Sequence, residues 1–246
     1  MTRGAIALAV AVTALGSRTG ASDDPVPQYL ALARAYVERW QRDLWVGFRD
    51  IAEIDGRPIA GRSKRLEDLF LKNPLSEALD QARRISDKES RYNLGRVYRN
   101  FNVPTTTLRV LDANRAARVK FSLDSKADPD GRPAVVLSYK ESEAPTIVLT
   151  DNRQFVFTHG RLWIDPVTGR VMATEMKWRL SPPRDVGDLS ATIAVSYRPD
   201  TASGIWVPGA MKETYETAEE IIDCEATYSG VRRFTVTADD TIAVPQ

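Results

Sequence analysis

Apolar and polar positions follow two rhythms along this chain, and the change falls near residue 118. Before it the spacing is helical. Leu30, Ala33, Val37 and Trp40 recur on one face of a segment running from Val26 to Asp43, with Arg34, Glu38 and Arg42 set away from that face. Strand-forming residues from Trp45 to Ile54 then lead into the turn signal Asp55-Gly56-Arg57-Pro58. Leu66, Leu69 and Phe70 form a short apolar stripe. Asn73-Pro74 offers an N-cap with proline in the first turn, and Leu75, Ala78, Leu79, Ala82 and Ile85 continue at helical spacing, which predicts two consecutive short helices. After Val103-Pro104 a third short helix is expected from about Thr106 to Ala113.

From Arg118 onward the period is two. Val119, Phe121 and Leu123 alternate with Lys120, Ser122 and Asp124; Asp128-Pro129-Asp130-Gly131 is a turn, and Ala134 to Glu141 resumes as a strand. Further strands are expected at Thr146 to Leu149, Gln154 to Asp165, Arg170 to Leu180, Leu189 to Arg198, Trp206 to Glu216 and Ile221 to Val236. In one of them Met172, Met176, Trp178 and Leu180 share a face. In the next, Leu189, Ala191, Ile193, Val195 and Tyr197 oppose Ser190, Thr192 and Ser196. One face is therefore dry and the other wet. Asp165-Pro166-Val167-Thr168-Gly169 is a hairpin turn that Asp165 is expected to cap. The short connections carry no helices. The whole predicts an α+β fold, a mostly antiparallel β-sheet that short helices can cover, with helices mainly in 26–113 and strands mainly in 118–236; its curvature is what the resemblance given below implies.

The first residues stand apart. Arg3 precedes the apolar run Ala5 to Leu15, followed by small and polar residues, which is the layout of a secretory signal. Residues 1–21 are read as a signal peptide cut near Ala21, leaving a single domain, 22–246, that is periplasmic or secreted. The run falls short of the about 20 apolar residues that span a bilayer, so no membrane span is expected.

Composition agrees with a folded domain: 43% apolar residues, 27% charged residues and a net charge of +1. That balance lacks the basic footprint of nucleic-acid binding. The single cysteine, Cys224, excludes an internal disulfide and sits at an apolar position of its strand. The single histidine, His159, excludes a His-rich metal site. Phosphate-binding glycine loops, dinucleotide fingerprints, G-x-S-x-G elbows and paired metal-ligand spacings are all missing from the sequence. The one carboxylate-rich stretch is Glu213, Glu216, Glu219, Glu220, Asp223 and Glu225, a solvated turn or, alternatively, the acid and base of a hydrolase. No catalytic residue, metal or cofactor is assigned.

Two resemblances sharpen the expectation. The stretch Gly160-Arg161-Leu162-Trp163-Ile164-Asp165-Pro166-Val167-Thr168-Gly169-Arg170-Val171, with Glu175, Tyr197-Arg198 and Trp206-Val207-Pro208, resembles the carboxy-terminal sheet of exported LolA/LppX-like proteins. That resemblance implies a half-open antiparallel barrel under helices, able to shelter acyl chains in its concave cavity. The motifs Trp45-Val46-Gly47-Phe48-Arg49-Asp50, Asp55-Gly56-Arg57-Pro58, Arg91-Tyr92-Asn93-Leu94-Gly95 and Asn100-Phe101-Asn102-Val103-Pro104-Thr105 are similar to uncharacterised secreted bacterial proteins. In those a further strand pair is expected where Asp43 here runs almost directly into Trp45. The functional expectation is a carrier of a lipid, lipoprotein acyl chain or other apolar ligand. Its cavity would be lined by Met172, Met176, Trp178, Ile193 and Val195, with Leu79 and Ala82 opposite. The same residues could instead simply fill a core. The alternative function is an envelope protein-interaction or sensor module without ligand.

Overall fold

Helix α1 (Val26–Arg42) begins where the Asp24 carboxylate accepts a 3.0 Å hydrogen bond from the Val26 amide, a donor that no preceding helical turn could satisfy. In this computed structural model residues 24–42, 53–54, 56–61, 65–90, 104–127, 132–150, 153–180, 188–201 and 204–228 are described. The signal sequence, Trp45 to Asp50, Arg91 to Gly95 and the junction after Asp43 lie outside them.

A small antiparallel pair of strands is formed by β1 (Glu53–Ile54) and β2 (Arg57–Pro58). Helices α2 (Arg65–Lys72) and α3 (Leu75–Ser90) follow, as their apolar spacing predicts. Asn73 differs from expectation. Its side-chain amide donates back to the Leu69 carbonyl at 2.9 Å, closing the end of α2, and Pro74 supplies the carbonyl that receives the first bond of α3, from the Ala78 amide. The third helix is a tight 3-10 segment, Pro104–Leu111, starting two residues earlier than the sequence suggests.

The main sheet has seven strands, all neighbours antiparallel, in the order β11 (Ile221–Thr227), β10 (Ile205–Glu216), β9 (Leu189–Asp200), β8 (Val171–Leu180), β7 (Thr158–Ile164), β4 (Ala134–Glu141) and β3 (Val119–Ala127). Between β4 and β7 the chain forms a second small hairpin, β5 (Val148–Leu149) with β6 (Phe155–Val156). The sheet is an open, curved meander. Arg132, just before β4, and Trp206, on β10, are four strand spacings apart, about 19 Å if the sheet were flat. The Arg132 guanidinium carbon nevertheless lies 5.2 Å from the centre of the Trp206 ring, so the sheet must curl.

Rows of inward side chains cross the curl. One runs Tyr139, Gly160, Met176, Ile193, Glu213 and Cys224 from β4 to β11. Gly160 is required there: a Cβ would strike the backbone carbonyl of Glu175 and come within 3.0 Å of the Tyr139 ring. Over these rows lie Val26, Ala33, Val37 and Trp40 of α1 and Leu108, Val110 and Leu111 of the 3-10 segment, forming one apolar core with the sheet. Leu69, Ala78 and Ala82 form a separate cluster between α2 and α3, with Leu66, Phe70 and Ile85 around it.

Candidate functional site

Met176, Trp178, Ile193 and Val195 are brought together as expected, all on the concave face and only 0%, 7%, 2% and 2% exposed. Met172 is buried too, but outside this cluster. A bulge opposite Trp163 and Ile164 makes Val171 the partner of Ile164 and Ala173 the partner of Trp163, so the register skips Met172 and Val171 takes its place in the core. Ala82 belongs to the α2–α3 cluster, and Leu79 is half-buried on α3 outside both apolar clusters. The cover opposite Met176 and Ile193 is therefore built by α1 and the 3-10 segment. Helical spacing identifies an apolar stripe and not the surface that will meet it.

Polar groups pin this cover down. The Thr107 and Thr174 hydroxyls lie 2.6 Å apart, and the Tyr197 hydroxyl donates to the Pro104 carbonyl at 3.3 Å, tying the 3-10 segment to β8 and β9. Burial pushes the Tyr197 phenol well above its ordinary value, keeping it a donor. At the end of α1 the Trp40 indole donates to the Trp206 carbonyl at 2.7 Å.

Two buried carboxylates sit at opposite sides of the sheet. Glu141, at the end of β4, accepts from the Ile147 amide at 2.9 Å, the Thr158 amide at 3.0 Å and the Thr158 hydroxyl at 2.8 Å. Arg115 approaches it at 3.7 Å while donating to the Pro145 carbonyl at 3.0 Å. With both oxygens committed to the loop and to β7, Glu141 is a staple. Glu213 points into the concave face and accepts from the Tyr215 hydroxyl at 3.1 Å. Its burial departs from the solvated turn expected of that stretch. The other carboxylates there fit the expectation: Asp223 accepts from Thr214 at 2.7 Å, Glu225 pairs with Lys212 at 3.8 Å, and Glu216, Glu219 and Glu220 are exposed. Glu213 faces inward and Asp223 and Glu225 outward, so those three do not converge.

Cys224 is half-buried and forms no disulfide. His159 is exposed on β7, paired in register with Lys140 and Lys177. Asp165 caps its turn as expected, accepting from the Val167 and Thr168 amides at 2.9 Å each. Among the described residues no group of three or more His, Cys, Asp or Glu side chains could hold a metal ion, and no helix is long and apolar enough to cross a membrane.

Among the described residues an opening lies at one end of the curl. In an antiparallel meander the starts of alternate strands fall at the same end, so Arg132 before β4, Arg170 before β8 and Ile205 at the start of β10 lie together, where Trp40 of α1 also arrives. Between α1, the turn before β8 and the start of β10 is a cleft of about 270 Å³ whose lining includes Tyr36, Arg39, Trp40, Arg170, Ile205 and Trp206. The Arg170 guanidinium stacks 4.7 Å from the centre of the Trp206 ring, within cation–π range. Sequence reading passed over this site because its members come from three distant segments. The available signal was meander parity, which puts Arg132, Arg170 and Trp206 at one end.

A second surface feature is apolar. On the hairpin of β5 and β6, Leu149 pairs with Phe155, and with Phe157 these side chains stand 41%, 50% and 46% exposed.

Compared with known proteins, the chain matches no family model, no curated protein and no solved structure.

Proposed function

We propose that this protein is an exported, non-catalytic carrier of an apolar or amphipathic ligand, of the class of a lipid or lipoprotein acyl chain. It holds that ligand at the open end of the curved sheet. The observation that carries the reading is the cleft between α1 and the strand ends: Tyr36, Trp40, Ile205 and Trp206 give it an aromatic and aliphatic wall. Small-molecule sites combine such walls with a few placed polar groups. Met176, Trp178, Ile193 and Val195 form the packed floor of the fold and support the wall, since their burial leaves them little surface to offer. Export rests on Arg3 and the apolar run that follows it.

Native mass spectrometry of the protein purified from its own envelope tests this reading. Expected is a bound apolar mass that is reduced when the wall is disrupted by Trp206→Asp, with thermal stabilisation of the wild type by added dodecanol. Absence of both a bound mass and a thermal shift would overturn it. The weight would then pass to the second reading, an envelope protein-interaction module, which the exposed Leu149, Phe155 and Phe157 favour.

A further inference from the structure

We propose that the same cleft is an oxyanion site, built to hold the carboxylate or phosphate of a ligand whose apolar part lies on the aromatic wall. This rests on the reading above for its place in the fold and goes beyond it in the chemistry. An acyl-chain wall needs no charge. Yet two arginines line this cleft, and they come from separate segments, Arg39 from α1 and Arg170 from the turn just before β8. Arg132 approaches the other partner of the stack, Trp206, from the β3–β4 side.

The arrangement is preorganised. The Arg170 guanidinium carbon lies 4.7 Å over the centre of the Trp206 ring, and its Nε is buried without a hydrogen-bond partner. A planar fork held in this way suits the paired oxygens of carboxylate or phosphate. Tyr36 lies within electrostatic reach of both Arg170 and Arg39; burial raises its phenol above the ordinary value against the pull of those two charges. It therefore stands at neutral pH as a protonated donor beside two cations. Of the neighbouring carboxylates, Asp165 has its Oδ1 taken by the Val167 and Thr168 amides of its own turn, and Asp200 lies opposite Ile205 in the strand register. Among the described residues no carboxylate forms an ion pair with Arg39 or Arg170. The cleft thus combines donors, positive charge and aromatic faces with an unfilled volume of about 270 Å³.

Isothermal titration calorimetry on the purified full chain tests the proposal with three probes: dodecyl phosphate, dodecanol and inorganic phosphate, the amphiphiles kept below their micelle concentrations. Dodecyl phosphate is expected to bind about tenfold or more tightly than dodecanol, and Arg39→Gln or Arg170→Gln is expected to bring the ratio of the two affinities, measured within each variant, down toward one. Arg39 is exposed, so its variant reports even if loss of the Arg170 stack unsettles the turn, and thermal melts identify that case. Binding of inorganic phosphate, weakened by the same variants, would mean that a small free oxyanion suffices. Its failure beside tight dodecyl phosphate binding would mean that the anion must be carried on an apolar chain; both outcomes support an oxyanion site. Equal binding of dodecyl phosphate and dodecanol, or a phosphate preference untouched by both arginine variants, would overturn the oxyanion site and leave the carrier reading standing. Binding of none of the three would defeat both.

Discussion

Replacing Glu141 by glutamine tests whether the β4–β7 connection is held by one carboxylate. In the native fold three donors converge on it: the Ile147 amide on Oε1 and both the amide and the hydroxyl of Thr158 on Oε2. Glutamine has one accepting oxygen. Turned toward Thr158, it presents its NH₂ to the Ile147 amide, leaving a buried N–H unsatisfied at a cost of about 1–3 kcal/mol. The two surviving bonds lose their charge assistance, and Arg115, whose side chain is only 10% exposed, loses its ion-pair partner. The sum is a destabilisation of about 2–4 kcal/mol, with Glu141→Ala at about 3–5 kcal/mol because no acceptor remains and a buried charge is left unpaired. Urea denaturation followed by circular dichroism would measure both. A double-mutant cycle with Thr158→Val should give a coupling of at least about 0.5 kcal/mol, since the hydroxyl and the carboxylate act through one bond. If Glu141→Gln lowers the unfolding free energy by less than about 0.5 kcal/mol at unchanged m-value, the carboxylate is not a staple.

Three further outcomes follow from the same structure. Ile193→Lys, on the buried face, should cost several kcal/mol while Thr192→Lys on the opposite face costs about 0.5 kcal/mol or less; equal and mild effects in thermal melts would refute the assigned register. Met176→Trp should overpack the core under α1 by about 1–3 kcal/mol, and a neutral result would mean that unfilled space adjoins Met176. Asp165 lies below the usual carboxylate range: burial acts to raise it, and the Thr168 and Val167 amides outweigh that effect. Its stabilisation is therefore present above the unfolded-state value and lost as pH falls through the lower folded value. Asp165→Asn should destabilise by under about 1 kcal/mol at pH 7, after solvent screening. The gap to wild type should narrow on acidification below about pH 4, and a gap that widens with acid would contradict the cap.

The two periodicities separated the helical first part from the strand-rich second part, and the short, helix-free connections implied the antiparallel meander, because each of these is a property of a few consecutive residues. Asp165 was legible as a turn cap for the same reason: its partners are two and three residues away. Ile193 and Val195 were legible as buried because strict alternation leaves one dry face. Met172 was not, since the bulge that displaces it exists only once β8 meets β7. Ala82 follows a helical stripe as clearly as Ala33 does, yet one packs between α2 and α3 and the other on the sheet. Which surface a stripe meets is a long-range choice that local spacing does not encode. Glu141 and Glu213 read as strand-end and turn carboxylates, and only the folded chain reveals the donors that make their burial tolerable. The cleft is the extreme case. Tyr36, Arg39, Arg170 and Trp206 are ordinary residues in three separate segments, and they become one site only because the sheet curls and meander parity brings alternate turns to the same end.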